Sequence, residues 1–270
     1  MRLTILGTGT ARPVGDSPQS GVLVEAGDTR VLFDIGSGVA SQVEARMNAA
    51  DLSGLVVGHF HADHWIDIGP LRYRFPWAEA APRPLPVYLP PGGRDKLDHL
   101  AAAINERPRF FEAAFAITEY ETDMRIEIGG LVIVPHAVGH YVPAWSMDIT
   151  GPGGERVVYA GDMGPSEMVV DLARGAELLI LEATLENGAF DDARRGHLDT
   201  GEAIDHVRRA GVRQGLLVHY QSERRAAIAA QCAASGLPVE PAVPGMVVEV
   251  EAGRVRIVDR PAGYEMVRTG

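Results

Sequence analysis

Three imidazoles and a carboxylate fall within six residues at His59-Phe60-His61-Ala62-Asp63-His64. Imidazole nitrogen and carboxylate oxygen are donors that zinc and its first-row neighbours accept. The cluster follows Leu55-Val56-Val57, an apolar run that reads as a buried strand. Alternate side chains of a strand share a face, so His59 and His61 are expected to project together. Asp63 and His64 follow where the chain must turn, and are expected to face a second point nearby. A solvated His-rich loop is the bland alternative; four donor residues at one strand end favour a metal site. Further donors stand where other apolar runs stop. Asp162 follows Val157-Val158-Tyr159-Ala160-Gly161, His219 follows Leu216-Leu217-Val218, and His140 lies just past the run 131–134, with His136 as a competitor. Loops leaving a rigid sheet are the usual place for functional groups.

The elements that must position these groups alternate along the chain. Strand-like runs at 3–6, 22–25 and 31–34 are separated by turn residues such as Gly27-Asp28. Asp34 ends the third run before Gly36-Ser37-Gly38, and from this segment alone a turn aspartate and a functional one are equally admissible. A helix is expected over 66–75, ended by Pro76. Six prolines then crowd residues 76–91 around a short strand at 87–89. Helix 94–104 sets Leu97, Leu100, Ala101 and Ile104 on one face and carries His99 as an ordinary helix residue. The aromatics of 110–115 show no clean period and read as core. Strands are expected at 125–128, 131–134, 145–150, 156–160 and 178–181, and closing strands at 246–250 and 255–258. Helices are expected near 167–173, 200–210 and 222–235, with Thr200 and Ser222 as N-caps and Gly211 and Gly236 just past the ends. His206 falls inside the second of these as a packing residue. No low-complexity linker interrupts the chain, so residues 1–270 read as a single α/β domain, two sheets packed together with helices outside.

Composition narrows the function classes. The 270 residues carry a formal net charge of −11, which disfavours a surface built to grip a folded RNA. Cys232 is the only cysteine, which excludes an intramolecular disulfide and a cysteine zinc site; its alanine-rich neighbours read as a packed helix. No signal-like start and no apolar run of transmembrane length is seen, so a soluble cytoplasmic protein without membrane contact is expected. Gly7-Thr8-Gly9 imitates the start of a dinucleotide fingerprint, but the third glycine and the closing acidic residue are missing.

The spaced set Asp34, His59, His61, Asp63, His64, His140, Asp162 and His219 resembles the pattern of the metallo-β-lactamase-fold hydrolases, from residue 3 to about residue 220. That resemblance implies a four-layer αββα sandwich. It implies that His59, His61 and His140 bind one ion, that Asp63, His64 and His219 bind another, and that Asp162 bridges them. Asp34 would orient a ligand histidine. The run 140–146 fits the family spacing to the next strand, which selects His140 over His136. Two divalent ions, zinc by expectation with manganese and iron compatible, would share a hydroxide aimed at an electrophile.

Within that family, Leu181-Glu182-Ala183-Thr184 and Gly196-His197-Leu198-Asp199-Thr200 resemble the Glu-Ala-Thr and His-Ser-Thr motifs of the tRNase Z-like phosphodiesterases. By resemblance, His197 would assist at the phosphate or the leaving oxygen, with Glu182 holding its ring. Asp63, Glu182 and His197 are thus the expected catalytic residues. Departures from the tRNA-processing members are visible. The Gly-Glu-Gly turn after Asp34 is absent, Met163 follows Asp162 in place of threonine, and no basic Gly/Pro-rich arm is inserted. The expected activity is hydrolysis of a small or cyclic phosphodiester, as in small bacterial members of the group. A tRNA 3′-end endonuclease and a lactonase or thioesterase are the alternatives, and a homodimer is compatible with the sequence. A phosphate contact from Arg224 or Arg225, after His219, is the weaker of two readings against a solvated charge.

Overall fold

A computed structural model of the chain describes residues 1–15, 17–76, 83–105, 109–190 and 195–261. The first sheet contains β1 (Arg2–Gly7), β2 (Gly21–Ala26), β3 (Thr29–Phe33), β4 (Gly54–Val56), β5 (Leu85–Leu89) and β6 (Phe115–Glu119). The second contains β7 (Ile126–Ile128), β8 (Leu131–Val138), β9 (Ala144–Thr150), β10 (Arg156–Tyr159), β11 (Leu178–Glu182), β12 (Gln214–Val218) and β13 (Val239–Pro241). The chain then returns to the first sheet with β14 (Val247–Glu251) and β15 (Arg254–Asp259). The eight-stranded order is β15-β14-β1-β2-β3-β4-β5-β6, and the seven-stranded order is β13-β12-β11-β10-β9-β8-β7. Both sheets are mixed: β3 to β6 run parallel, as do β10 to β13, while the other neighbours pair antiparallel.

The strand period of two sorts side chains into three apolar layers. Leu3, Ile5, Val31, Phe33, Leu178 and Ile180 face inward, between the sheets. Leu23, Leu32 and Leu55 point the other way, onto the layer with Val39 and Val43 of α1 (Val39–Glu44) and Leu97 of α4 (Gly93–Ile104). On the far side, Leu179, Leu181 and Leu217 meet Val169 of α5 (Glu167–Ala173), Val207 of α6 (Thr200–Ala210) and Ile228 of α7 (Arg225–Ser235). The unbroken run Leu178–Leu181 is explained by this double burial. The result is the expected αββα sandwich. Between α1 and α4 come two short helices, α2 (Ala62–Trp65) and α3 (Ile68–Arg72).

Several local expectations are corrected. The N-cap of α6 is Asp199 rather than Thr200: its side chain accepts from Glu202 N–H while Glu202 reaches back, a complete capping box. Ser222 does not cap the next helix, because a 3-10 turn (Ser222–Arg224) precedes α7. β6 and β13 were not anticipated. Both are edge strands, one aligned with an aromatic stretch and one containing Pro241, where the alternation signal is weak. Helix 66–75 is shorter than expected, ending at Arg72. Part of the proline-rich 76–91 stretch lies outside the described residues.

Candidate metal centre

Every donor named above except His140 sits just beyond the carboxyl end of a parallel-paired strand. Asp34 follows β3, residues 59–64 follow β4, Asp162 follows β10, Glu182 ends β11 and His219 follows β12. Loops at those ends are where open α/β sheets place ligands. His140 arrives from the antiparallel pair β8–β9. The histidine cluster is not itself a strand, contrary to expectation. β4 stops at Val56, His59 makes an isolated bridge with Ala144, and His61 is the N-cap of α2, which carries Asp63 and His64. A bridge and a turn of helix, rather than strand alternation, aim the four donors.

The side chains converge. Donor atoms of His59, His61, His140 and Asp162 all lie within 4.8 Å of one another, as do those of Asp63, His64 and His219. A third overlapping group joins Asp162, His197 and His219. Asp162 is central: its Oδ2 lies 3.3 Å from His64 Nε2, 3.4 Å from His219 Nε2, 3.8 Å from His59 Nε2 and 3.9 Å from His140 Nε2. His136 is elsewhere, ion-paired with Asp123 at 2.8 Å. His99 is an exposed residue of α4.

These residues fit divalent cations. His59 Nε2 and Asp162 Oδ1 are buried without a hydrogen-bond partner among the described residues. Leaving such an atom unpaired costs about 1–3 kcal/mol, which a cation at that point would offset. The rings are also pre-set. His140 Nδ1 donates to Gly196 O (2.6 Å), His64 Nδ1 to Asp34 Oδ2 (2.7 Å) and His219 Nδ1 to Thr184 Oγ1 (2.7 Å). In each case Nε2 is the atom turned to the cluster, the arrangement in which an outer hydrogen bond fixes the tautomer.

Electrostatics follow from burial and from the carboxylates. Burial holds His59 well below the ordinary histidine range and pushes His140 down to about 4. Burial would also lower His64, but Asp162 and Asp34 outweigh it and raise that ring well above the ordinary value. For Asp162 burial acts upward, and His219 and His64 prevail to hold the carboxyl well below the usual range. Asp34 (φ 57°) and His219 (φ 49°) adopt left-handed backbone, at roughly 1–3 kcal/mol each for non-glycine residues. They are two of the five non-glycine residues with positive φ among the described residues.

Glu182 is fully buried and saturated with donors. Its Oε1 accepts from His197 Nδ1 (2.7 Å) and Met163 N (2.8 Å). Its Oε2 accepts from Thr184 Oγ1 (2.5 Å), Leu198 N (3.2 Å) and Thr184 N (3.3 Å). His197 thus stands beside the cluster with its orientation imposed by a buried carboxylate. An adjoining cleft of about 390 Å3 is lined by Thr10, Arg12, His61, Asp162, His197 and His219, among others. Arg224 does not face it: its guanidinium donates to the carbonyls of Ala183, Thr184 and Leu185, clamping the loop that carries Thr184. His206 is a packing residue, linking Glu202 O to Ser166 N.

Three contributors lacked a sequence-based role. Thr184 was visible only as part of a motif. Arg12 reaches the cleft from the loop after β1. Tyr159 donates to Asp34 Oδ2 at 2.7 Å, and a tyrosine closing the apolar run Val157-Val158 was the available signal.

The family model described as "Beta-lactamase superfamily domain" matches residues 29–220. A Mycobacterium leprae relative, "Uncharacterized protein ML1173", is 30% identical over 259 residues, covering 93% of this chain and 89% of the relative. "Ribonuclease Z" of Methanothermobacter thermautotrophicus is 28% identical, covering 93% and 97%. The crystal structure of the metallo-beta-lactamase fold protein YhfI from Bacillus subtilis superposes with a TM-score of 0.78 at 24% identity, covering 91% of this chain and 98% of that one. Among the described residues no helix is long and apolar enough to cross a membrane. The chain therefore belongs to the β-lactamase superfamily, as a metallo-hydrolase with the metallo-β-lactamase fold and relatives in its tRNase Z-like branch.

Proposed function

We propose that the protein hydrolyses a small or cyclic phosphodiester at a centre of two divalent cations, zinc by preference. His59, His61 and His140 would hold one, Asp63, His64 and His219 the other, and Asp162 would contact both. The observation that carries the phosphodiester reading is the buried Glu182–His197 pair at 2.7 Å, beside the cluster and on the same cleft. Bound there, such ions supply a water nucleophile of lowered pKa and neutralise charge on phosphoryl oxygens.

The chain's own residues supply the rest. Glu182 takes the Nδ1 proton side of His197 and leaves Nε2 as the nitrogen that meets the substrate. A protonated Nε2 hydrogen-bonds the phosphate or donates to the departing oxygen, which spares an alkoxide leaving group. Asp63 and Asp162 hold the negative charge that balances the cations. Arg12, on the rim, donates to Glu223 Oε1 at 2.7 Å and to Gln221 Oε1 at 2.9 Å, so its charge is balanced within the protein.

The decisive experiment is chelation and re-metallation followed by a substrate panel: bis(p-nitrophenyl) phosphate, cyclic nucleotides, a lactone and a thioester. Metal-dependent turnover confined to the phosphodiesters is expected. Turnover of lactone or thioester that survives His197→Ala would replace this reading with a carbon-centre hydrolase. A second reading, tRNA 3′-end cleavage, is favoured by the likeness to a ribonuclease Z. The net charge of −11 opposes it, and a precursor-tRNA cleavage assay separates the two.

A further inference from the structure

One side-chain hydrogen bond between the two sheets lies beside the cluster. Asp34 follows β3 of the first sheet, and Tyr159 ends β10 of the second. Across the interface the Tyr159 hydroxyl donates to Asp34 Oδ2 at 2.7 Å. The same oxygen accepts from His64 Nδ1 at 2.7 Å, while Gly58 N–H occupies Oδ1 at 2.8 Å. Tyr159 is 4% exposed, with its ring edge-on to Phe33.

Resting on the reading that Asp63, His64 and His219 hold one cation, we propose that Tyr159 is a positioning residue for that cation alone. Its hydroxyl locks the Asp34 carboxylate, and Asp34 locks the His64 ring with Nε2 toward the cluster. A carboxylate held by one backbone N–H can still swing about its two side-chain torsions. Three donors from three different segments leave it one orientation. The position is otherwise unfavourable: Asp34 sits in left-handed backbone, so its geometry persists only because its surroundings over-determine it. A tyrosine in an apolar layer also needs a partner for its hydroxyl, and this one is an ionised oxygen.

The effect is confined to one side of the cluster by connectivity. His140 takes its orientation from Gly196 O, and His219 takes its own from Thr184. Among the described residues neither Asp34 nor Tyr159 hydrogen-bonds His59, His61 or His140, and His64 is the sole imidazole on Asp34.

The test is chelator competition on the metal-free protein, titrated with zinc or cobalt(II) to resolve two binding steps. His64→Ala identifies the step that belongs to the Asp63–His64–His219 side. Tyr159→Phe keeps the ring and removes the hydroxyl. It is expected to weaken that step by about tenfold, the low end for outer partners of a metal ligand, and to leave the other step unchanged. Asp34→Asn should weaken the same step at least as much, and Tyr159→Phe/Asp34→Asn should be no worse than Asp34→Asn alone. Equal weakening of both steps, no weakening, or full additivity overturns the proposal while two steps in the unmodified protein preserve the metal reading. Failure of the unmodified protein to show two steps removes both. Should Tyr159→Phe not fold, Asp34→Asn decides: selective loss supports the proposal, loss at both steps overturns it.

Discussion

Replacing Glu182 with glutamine probes stability and chemistry in one substitution. The carboxylate is buried and accepts five hydrogen bonds, two on Oε1 and three on Oε2. A glutamine amide must point its NH2 at one set of donors. The less crowded choice faces Met163 N–H and His197, because the imidazole can change tautomer and accept. That exchange loses the Met163 bond outright, at roughly 1.5–3 kcal/mol, and swaps the His197 bond for a neutral one worth about 1 kcal/mol less, so a loss of about 2.5–4 kcal/mol is expected. For a chain of this size each kcal/mol shifts the melting temperature by about 2–4 °C, which puts the fall at about 5 °C or more, on the order of 10 °C. In the catalytic reading the glutamine also leaves His197 in the wrong tautomer, with its proton on Nε2 no longer supported by a negative charge. Loss of general-acid help is worth roughly 10²–10⁴ in rate. It should appear with an alkoxide leaving group and nearly vanish with p-nitrophenolate, which departs without a proton. The assay is kcat/KM for a p-nitrophenyl phosphodiester against an alkyl or cyclic one, for the unmodified protein, Glu182→Gln, His197→Ala and the double variant. His197→Ala should repeat the leaving-group pattern with a smaller thermal cost, and the double variant should be no slower than either single one. Equal rate losses for both leaving groups would sink the argument, whatever happens to the melting temperature.

Further expectations concern positions outside that pair. His140→Ala should lower the affinity for the first bound metal, measured by chelator competition, whereas His136→Ala, which removes a partner of Asp123, should not. Gly36→Ala would drive a methyl group into the backbone carbonyl of Asp63, so it should lower both melting temperature and metal stoichiometry. The Cys232 thiol is buried and pushed up to about 12, so a thiol reagent at pH 8 should react only as fast as the protein unfolds, read as equal rates of labelling and loss of circular dichroism. Asp67 accepts from Ala40 N–H, and burial raises its carboxyl above the ordinary value. Its contribution to stability is therefore greatest below the unfolded pKa of about 3.9 and is lost as pH rises through the folded value. Asp67→Asn should remove that decline from the stability–pH curve measured by denaturant titration.

Local chemistry made much of the centre legible in advance. Residue type identified the donors, because imidazoles and carboxylates at the ends of apolar runs have few other uses in such density. The apolar run Leu178–Leu181 marked a strand, and Gly211 and Gly236 marked helix ends through left-handed backbone that glycine adopts without cost. Edge strands β6 and β13 escaped notice because pairing on one side imposes little pattern on side chains. The cap of α6 was misplaced by one residue, since Asp199 and Thr200 are both competent and only the reciprocal bond with Glu202 separates them.

What the chain's own residues determined was the inventory: seven donors for cations, a histidine and glutamate that travel together, and alternating apolar segments enough for two sheets. Tertiary structure decided who meets whom. His136 and His140 differ by four positions, yet only one enters the cluster, because β8 ends between them and the turn before β9 carries His140 inward. Arg224, read first as a solvated charge and only second as a phosphate contact, is spent on three carbonyls. Tyr159 and Asp34 lie 125 residues apart and share a hydrogen bond only because two sheets pack face to face. Contacts of that separation leave no periodic trace, since they depend on how layers stack and not on the order in which residues follow one another.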